Sequence, residues 1–220
     1  MSRLIEENIG KLVWYAECMD RSLKQIREFK MGVNYDEFRF SHAMFIVNFM
    51  SMLDFANEIF DRKVLIEWEN NLDGIGGKSG KNNSGYIREL RNSVIHRGFD
   101  LTANGTVIDG RAMAIAPIKI GDRHSRRPPF YGFTYTLHEK FEICRLISSI
   151  TILKFAEPSL KILESKSQND KKHELIYSVE NSEHIPDWIK ISTKNNANEI
   201  TRDFPLSINA RKLRSLLSQE

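Results

Sequence analysis

Cysteine is scarce in this sequence, which has only Cys18 and Cys144 in 220 residues. The two stand far apart, and neither has a second cysteine or a histidine at the spacing of a metal site. The sequence therefore argues against a disulfide-stapled fold and against a zinc site. We expect both thiols to be reduced and buried in helices.

Long apolar runs and a secretion signal are also missing. The first basic residue, Arg3, is not followed by an apolar signal region. The most apolar stretch, 40–60, is interrupted by polar side chains that are costly in a lipid bilayer, namely His42, Asn48, Asp54, Asn57 and Glu58. We therefore predict a buried core helix here and a cytoplasmic protein that does not enter a membrane.

A large excess of charge of either sign is absent as well. The chain has 32 basic and 29 acidic residues, which gives a formal net charge of +3. The net charge of the chain thus does not indicate a nucleic-acid partner, and only local clusters of Lys and Arg could indicate one. With 41% hydrophobic and 28% charged residues, the chain can bury one core, so we expect one main domain.

Helical periodicity dominates the N-terminal part. Apolar residues repeat at intervals of three and four over about 2–30, which predicts a long amphipathic helix. A second helix, capped by Asp36, is rich in Phe and Met and runs to about Asp61. Its apolar surface is wide, so we expect it to lie centrally in a helical bundle.

A glycine- and asparagine-rich stretch, 70–85, lacks periodicity and predicts a flexible loop. Its Gly76-Gly77-Lys78-Ser79 segment lacks both the first glycine and the preceding strand of a phosphate-binding loop. A third helix is expected to begin with Ser84 as its cap and to stop at Gly98. Its predicted core residues are Ile87, Leu90 and Val94.

The segment from Leu101 to Tyr135 changes period and contains Asn-Gly and Asp-Gly turn signals, which predicts a small β insertion at about 100–135. Thr136 and Glu139 form a capping-box pattern that begins a long helix. Pro158 predicts a kink before that helix ends near 164.

Residues 166–220 are polar and broken, and we assign them to a C-terminal extension. An extended pair is expected at 175–179 and a short basic helix at 210–217. Residues 1–165 form the predicted main unit, a mainly α bundle of four to five helices with the β insertion before the last long helix.

The stretch Arg91-Asn92-Ser93-Val94-Ile95-His96 places three reactive polar groups at the end of the third helix. Arg91 and His96 are about 140° apart on a helix, but Arg is long and the helix ends two residues after His96, so their tips can converge. Asn92 precedes His96 by four residues and is expected to bond one imidazole nitrogen. These residue types suit metal-free RNA cleavage, because His can accept the ribose 2′-OH proton while a guanidinium stabilises phosphoryl charge.

This stretch resembles the Arg-(four to six residues)-His motif of the HEPN superfamily, including the Asn directly after the Arg. The resemblance implies a helical bundle and a metal-independent endoribonuclease of toxin–antitoxin, abortive-infection or CRISPR-linked antiviral defence systems, with no cofactor. It further implies a homodimer in which Arg91, Asn92 and His96 face their symmetry mates across one cleft, with an antitoxin or defence complex as a further partner. Toxins of this family that are paired with a nucleotidyltransferase antitoxin often carry Tyr two residues after the His, as the side chain that is modified. This sequence has Gly98 there, which argues against silencing by that modification.

Positive charge clusters beside the motif at Arg88 and Arg97. A second cluster, 123–127, precedes aromatic residues at Phe130, Tyr131, Phe133 and Tyr135. Phosphates and bases are bound by such mixtures, so we assign RNA binding to Arg88, Arg97, Arg123, Arg126 and Arg127. The alternative is an exposed basic loop before a buried aromatic strand.

Three further alternatives remain open from the sequence. In the second helix, Asp54, Asn57 and Glu58 form a solvated face, or one of them supports the Arg-His pair. The motif arginines and His96 can also be ordinary surface charges at a helix end. The chain as a whole can be an inactive RNA- or protein-binding module, or a purely structural bundle. His42 and His138 are expected to be structural.

Overall fold

The computed structural model describes residues 2–29, 34–108, 111–121, 128–165, 167–203 and 208–218. Over these residues the chain is mainly α, as predicted, with eight α-helices and two small antiparallel sheets. The helices are α1 Ser2–Glu28, α2 Tyr35–Ile59, α3 Val64–Asn71, α4 Gly80–Arg97, α5 Leu137–Ser165, α6 Gln168–Glu180, α7 Asp187–Asp203 and α8 Ile208–Leu217. The strands are β1 Gly105–Ile108, β2 Arg111–Ala114, β3 Lys119–Ile120 and β4 Phe130–Tyr131.

Helix α2 lies at the centre of the bundle, as its wide apolar surface predicts, and packs against α1, α3, α4 and α5. Helix α1 covers it with a buried stripe at the predicted spacing of three and four; Leu4, at the start of α1, remains exposed. The buried members of that stripe are Ile9, Leu12, Val13, Ala16, Met19, Leu23 and Ile26. The pattern of the sequence alone therefore determined how α1 faces the core.

The prediction of a flexible loop at 70–85 is wrong. Helix α3 ends at Asn71, a short 3₁₀ turn follows at Ile75–Gly77, and α4 begins at Gly80 with Ser79 as its cap. Ser84, the predicted cap, is instead buried within α4. The helix tolerates its asparagines because they bond to neighbouring segments: the Asn83 amide donates to the carbonyls of Leu72 and Ile75.

The β insertion is confirmed as two hairpins, β1–β2 and β3–β4, although the predicted Asp109-Gly110 turn lies outside the described residues. Hairpin β3–β4 lies along α4. At the N-terminal end of α4, Asn82 exchanges two hydrogen bonds with the Tyr131 backbone. A β-carbon at Gly85 would overlap the ring of Phe130, so glycine permits this close approach.

Helix α5 begins at the predicted capping box. Thr136 Oγ1 accepts from the Glu139 backbone N–H, and Glu139 Oε2 accepts from the Thr136 backbone N–H. The helix continues through Pro158 to Ser165. Ile150, which the periodicity places among the core positions, is exposed instead.

The described part of the C-terminal segment is mostly helical, with α6, α7 and α8. The extended pair predicted at 175–179 is wrong, because these residues belong to α6, which begins with a capping box between Ser167 and Asp170. The basic helix predicted at 210–217 is confirmed as α8. It packs on α1 and α5, and its apolar residues Ala210, Leu213 and Leu217 join the main core. The boundary at 165 between the main unit and the C-terminal extension stays a prediction.

No helix among the described residues is long and apolar enough to cross a membrane.

Lys140 is fully buried in α5 between two aromatic rings. Its ammonium lies 3.6 Å from the ring centre of Phe133 and 4.4 Å from that of Tyr86, and it has no hydrogen-bond acceptor among the described residues. Burial lowers the pKa of Lys140 from 10.5 to about 8. Cation–π attraction to the two rings offsets part of the free-energy cost of desolvating the ammonium.

We expect Lys140→Met to raise the free energy of unfolding by about 1–3 kcal/mol at pH 7, because the buried charge is removed and the volume is kept. The unfolded chain binds more protons than the folded one between the folded-state pKa of about 8 and the ordinary value of 10.5. The gain in free energy of unfolding of the variant over the wild type should therefore be largest below pH 8 and fall as the pH rises through this window. Urea denaturation of both proteins at several pH values measures it, and a less stable variant at pH 7 would contradict the expectation.

Candidate functional site

The three motif residues lie in the last two turns of α4. The helix ends as predicted at Gly98, whose φ of 61° is left-handed and whose backbone N–H donates to the Ser93 carbonyl. Ile87 and Leu90 are fully buried, and Val94 packs against the core. This buried stripe fixes the rotation of α4 and directs the motif side chains away from the core.

Arg91 has one hydrogen-bond acceptor on its own helix and one ionic neighbour on another helix. Its Nη1 donates to Asn92 Oδ1 at 3.1 Å, and its Nη2 lies 4.0 Å from Asp54 Oδ2 on α2. Its side chain is only 29% exposed, and its Nε has no acceptor among the described residues. Before any substrate binds, the guanidinium is therefore hydrogen-bonded through one terminal nitrogen and faces a carboxylate with the other.

Asp54 lies beside the motif arginines, as in one of the two alternatives that the sequence left open. Its second carboxylate oxygen lies 3.8 Å from Arg88 Nη1, so one carboxylate faces two arginines. Asn57 has a different role, because its Oδ1 accepts from the Leu65 backbone N–H in α3. Glu58 is exposed, as expected for a solvated face.

Asn92 does not bond His96, contrary to the prediction. Its amide group donates to Glu89 Oε1 at 3.3 Å and accepts from Arg91 Nη1. Both ends of the amide are therefore used within the neighbouring turn of α4. The spacing of four residues allowed a bond to His96, but the carboxylate of Glu89 and the guanidinium of Arg91 compete for the same amide.

His96 is exposed to solvent and makes no hydrogen bond or ion pair with the residues that the structure describes. Its apolar neighbours Ile95 and Phe99 are also open, at 46% and 41% exposure. No hydrogen bond joins His96 to Arg91. One chain thus presents an oriented arginine and a free imidazole on the same helix end without bringing them together.

Arg97, predicted to bind RNA, is used within the chain. Its Nη2 donates to Glu89 Oε2 at 2.7 Å, and its Nη1 donates to the Gly121 carbonyl at 3.1 Å. Gly121 directly follows β3, so this bond ties the β3–β4 hairpin to the C-terminal end of α4. Arg88 is 41% exposed and has only Asp54 as its ionic partner among the described residues.

Arg123, Arg126 and Arg127 lie outside the described residues, so their predicted role stays a prediction. Of the aromatic residues that follow them, Tyr131 and Tyr135 are exposed, whereas Phe133 is buried. The described ends of the β3–β4 hairpin lie against α4, with Tyr131 at Asn82 and Gly121 at Arg97.

Other polar residues have structural surroundings. His42 is buried, its Nδ1 pairs with the Phe38 carbonyl at 2.8 Å, and burial lowers its pKa to about 4. His138 Nε2 lies 3.3 Å from Glu142 Oε1. Both cysteines are free; Cys144 is buried as expected, and burial raises the pKa of its thiol to about 12, whereas Cys18 is only partly covered. Within the described residues, no group of three or more His, Cys, Asp or Glu side chains could hold a metal ion.

Glu89 is the site residue that sequence reasoning missed. It accepts from both Asn92 and Arg97 and is the only acidic residue of α4. The available signal was a lone carboxylate in a helix whose last three turns carry three arginines and one histidine. Ion pairs at a spacing of eight residues are not read from helical neighbour rules, which connect positions three or four apart.

The arrangement can bind and polarise a phosphate. A guanidinium donates in a planar fork that matches two phosphoryl oxygens, and an unpaired imidazole can accept or donate a proton. Because Asp54 and Asn92 orient Arg91, little side-chain freedom is lost when a phosphate binds.

A search of family models, of characterised proteins and of solved structures found no match to this chain.

Proposed function

We propose that this chain is a metal-independent endoribonuclease of the HEPN type, acting in the cytoplasm as a toxin or phage-defence effector. The observation that carries the proposal is the end of α4, where Arg91 bonds Asn92 and faces Asp54, while His96 has no bonding partner among the described residues. The mainly helical bundle around α2 agrees with the fold that the resemblance implies.

The proposed reaction uses groups that need no cofactor. The neutral imidazole of His96 takes the proton of a ribose 2′-OH, and the 2′ oxygen attacks the adjacent phosphorus. The bond from phosphorus to the 5′ oxygen breaks, and the leaving oxygen takes up a proton from an imidazolium. Arg91 stabilises the charge that develops on the phosphoryl oxygens. The products are a 2′,3′-cyclic phosphate and a 5′-OH.

The proposed unit of function is a homodimer, because Arg91 and His96 do not meet within one chain. Ile95 and Phe99 beside His96 are apolar and exposed, as expected for residues that a second copy covers. In such a dimer, His96 of each copy and the oriented arginines line one cleft, with Arg88 and the arginines at 123, 126 and 127 as further phosphate contacts.

We expect Ile95→Glu to shift the protein to a monomer and to lower RNA cleavage at least about tenfold, because a charge replaces an apolar contact at the interface. Sedimentation velocity measures the mass, and Leu146→Glu on α5 is the matched control, since Leu146 is exposed to a similar extent. Unchanged association of the Ile95 variant would contradict this dimer surface.

The reaction is tested by incubating the protein with RNA in excess EDTA. The expected fragments accept a 5′ label from polynucleotide kinase without prior phosphatase treatment, because their 5′ ends carry a hydroxyl group. Fragments with 5′-phosphate ends would contradict the mechanism, and absence of cleavage would contradict the activity.

A second candidate function is an inactive module that binds RNA or a protein partner. The intramolecular bonds of Arg97 and the lack of contact between Arg91 and His96 favour it. RNA affinity that survives loss of His96, falls when the arginines at 123, 126 and 127 are replaced, and occurs without cleavage would select this function.

A further inference from the structure

We propose that Glu89 is a positioning residue that orients the guanidinium of Arg91 by fixing the side-chain amide of Asn92. The inference rests on the proposed function, because it names a residue that supports the same site. Glu89 does not contact Arg91 through any hydrogen bond of the described chain; it acts through the amide between them.

The direction of the three hydrogen-bonding groups carries the argument. A carboxylate only accepts hydrogen bonds, and a guanidinium only donates them, whereas an amide does both. Of the two ends of the Asn92 amide, only Nδ2 can donate to Glu89 Oε1, and the Oδ1 end is then directed at Arg91. With Glu89 absent, Nδ2 of Asn92 loses its acceptor, and only the bond to Arg91 itself holds the amide.

Glu89 is itself held in place. Its second oxygen, Oε2, accepts from Arg97 Nη2 at 2.7 Å, and the carboxylate is only 18% exposed. Arg97 is in turn anchored to the Gly121 carbonyl. Arg97 thus fixes Glu89, and Glu89 fixes the amide of Asn92, while the Asp54 carboxylate on α2 faces the other terminal nitrogen of Arg91. Removing either Glu89 or Asp54 leaves the guanidinium with one fixed partner.

A double-mutant cycle tests the coupling. We expect Glu89→Ala to lower kcat about tenfold with little change in KM, since a misdirected guanidinium loses interactions made in the transition state. In an Arg91→Ala background, the same change should lower kcat less than about twofold, because the group that Glu89 positions is gone. Glu89→Gln keeps an acceptor for Asn92 and should recover part of the loss.

Glu67→Ala is the matched control, because Glu67 is also a partly buried carboxylate in a short ion pair, 2.6 Å from Lys154, but on the α3–α5 side of the bundle. It should leave kcat unchanged. Equal losses from Glu89→Ala with and without Arg91 would overturn the proposal, as would a change in KM alone.

The cycle is also measured as affinity for a 2′-O-methyl RNA, which cannot be cleaved through its 2′ oxygen. Coupling in affinity without any cleavage of ordinary RNA would support the role of Glu89 and reject the nuclease. Cleavage that depends on His96, together with additive effects in both cycles, would reject the role of Glu89 and leave the nuclease standing.

Discussion

His96→Ala is expected to lower the rate of RNA cleavage in EDTA by about 10²–10⁴-fold, the contribution of a positioned general acid–base group. The imidazole is exposed and makes no hydrogen bond with the described residues, so its removal should leave the free energy of unfolding nearly unchanged. Gel analysis of an end-labelled RNA under single-turnover conditions measures the rate, and thermal unfolding measures the stability.

His184→Ala is the control for this first prediction. His184 is exposed and lies between α6 and α7, away from α4. It should cleave RNA as the wild type does. Equal cleavage by the His96 variant and the wild type would remove His96 from the mechanism, and cleavage lost in both variants would point to an indirect effect.

Arg91→Ala is expected to lower kcat by about 10²–10³-fold, because a preorganised donor to the developing phosphoryl charge is removed. Arg91→Lys should recover only part of the rate, since an ammonium keeps the charge but lacks the planar fork that Asn92 and Asp54 orient. Single-turnover kinetics separate this loss from a change in RNA binding.

Arg211→Ala, on the exposed surface of α8, is the control for this second prediction, because it removes the same charge elsewhere. A rate that falls equally in the Arg91 and Arg211 variants would show that general positive charge, and not an oriented guanidinium, supports cleavage. An Arg91→Lys variant as active as the wild type would show that the orientation by Asp54 and Asn92 has no catalytic role.

Local patterns in the sequence predicted several elements correctly. The capping box at Thr136 and Glu139 and the stop at Gly98 depend on bonds between residues within five positions, which a sequence displays directly. The buried stripe of α1 likewise follows from helical geometry alone. The predictions failed where residues distant in the sequence decided the structure. The asparagines before Ser84 indicated a loop, yet Asn82 and Asn83 are helical because Tyr131, Leu72 and Ile75 satisfy their amides.

The sequence by itself determined which residues make up the motif, since Arg91, Asn92 and His96 are named by type and spacing; their chemistry is a proposal. Their partners were decided only by the tertiary structure. Asp54 reaches Arg91 because α2 packs against α4, and the Glu89 carboxylate takes the amide of Asn92 that spacing had assigned to His96. Spacing restricts which side chains can meet along one helix, but packing between helices and competition among donors and acceptors select which of them do.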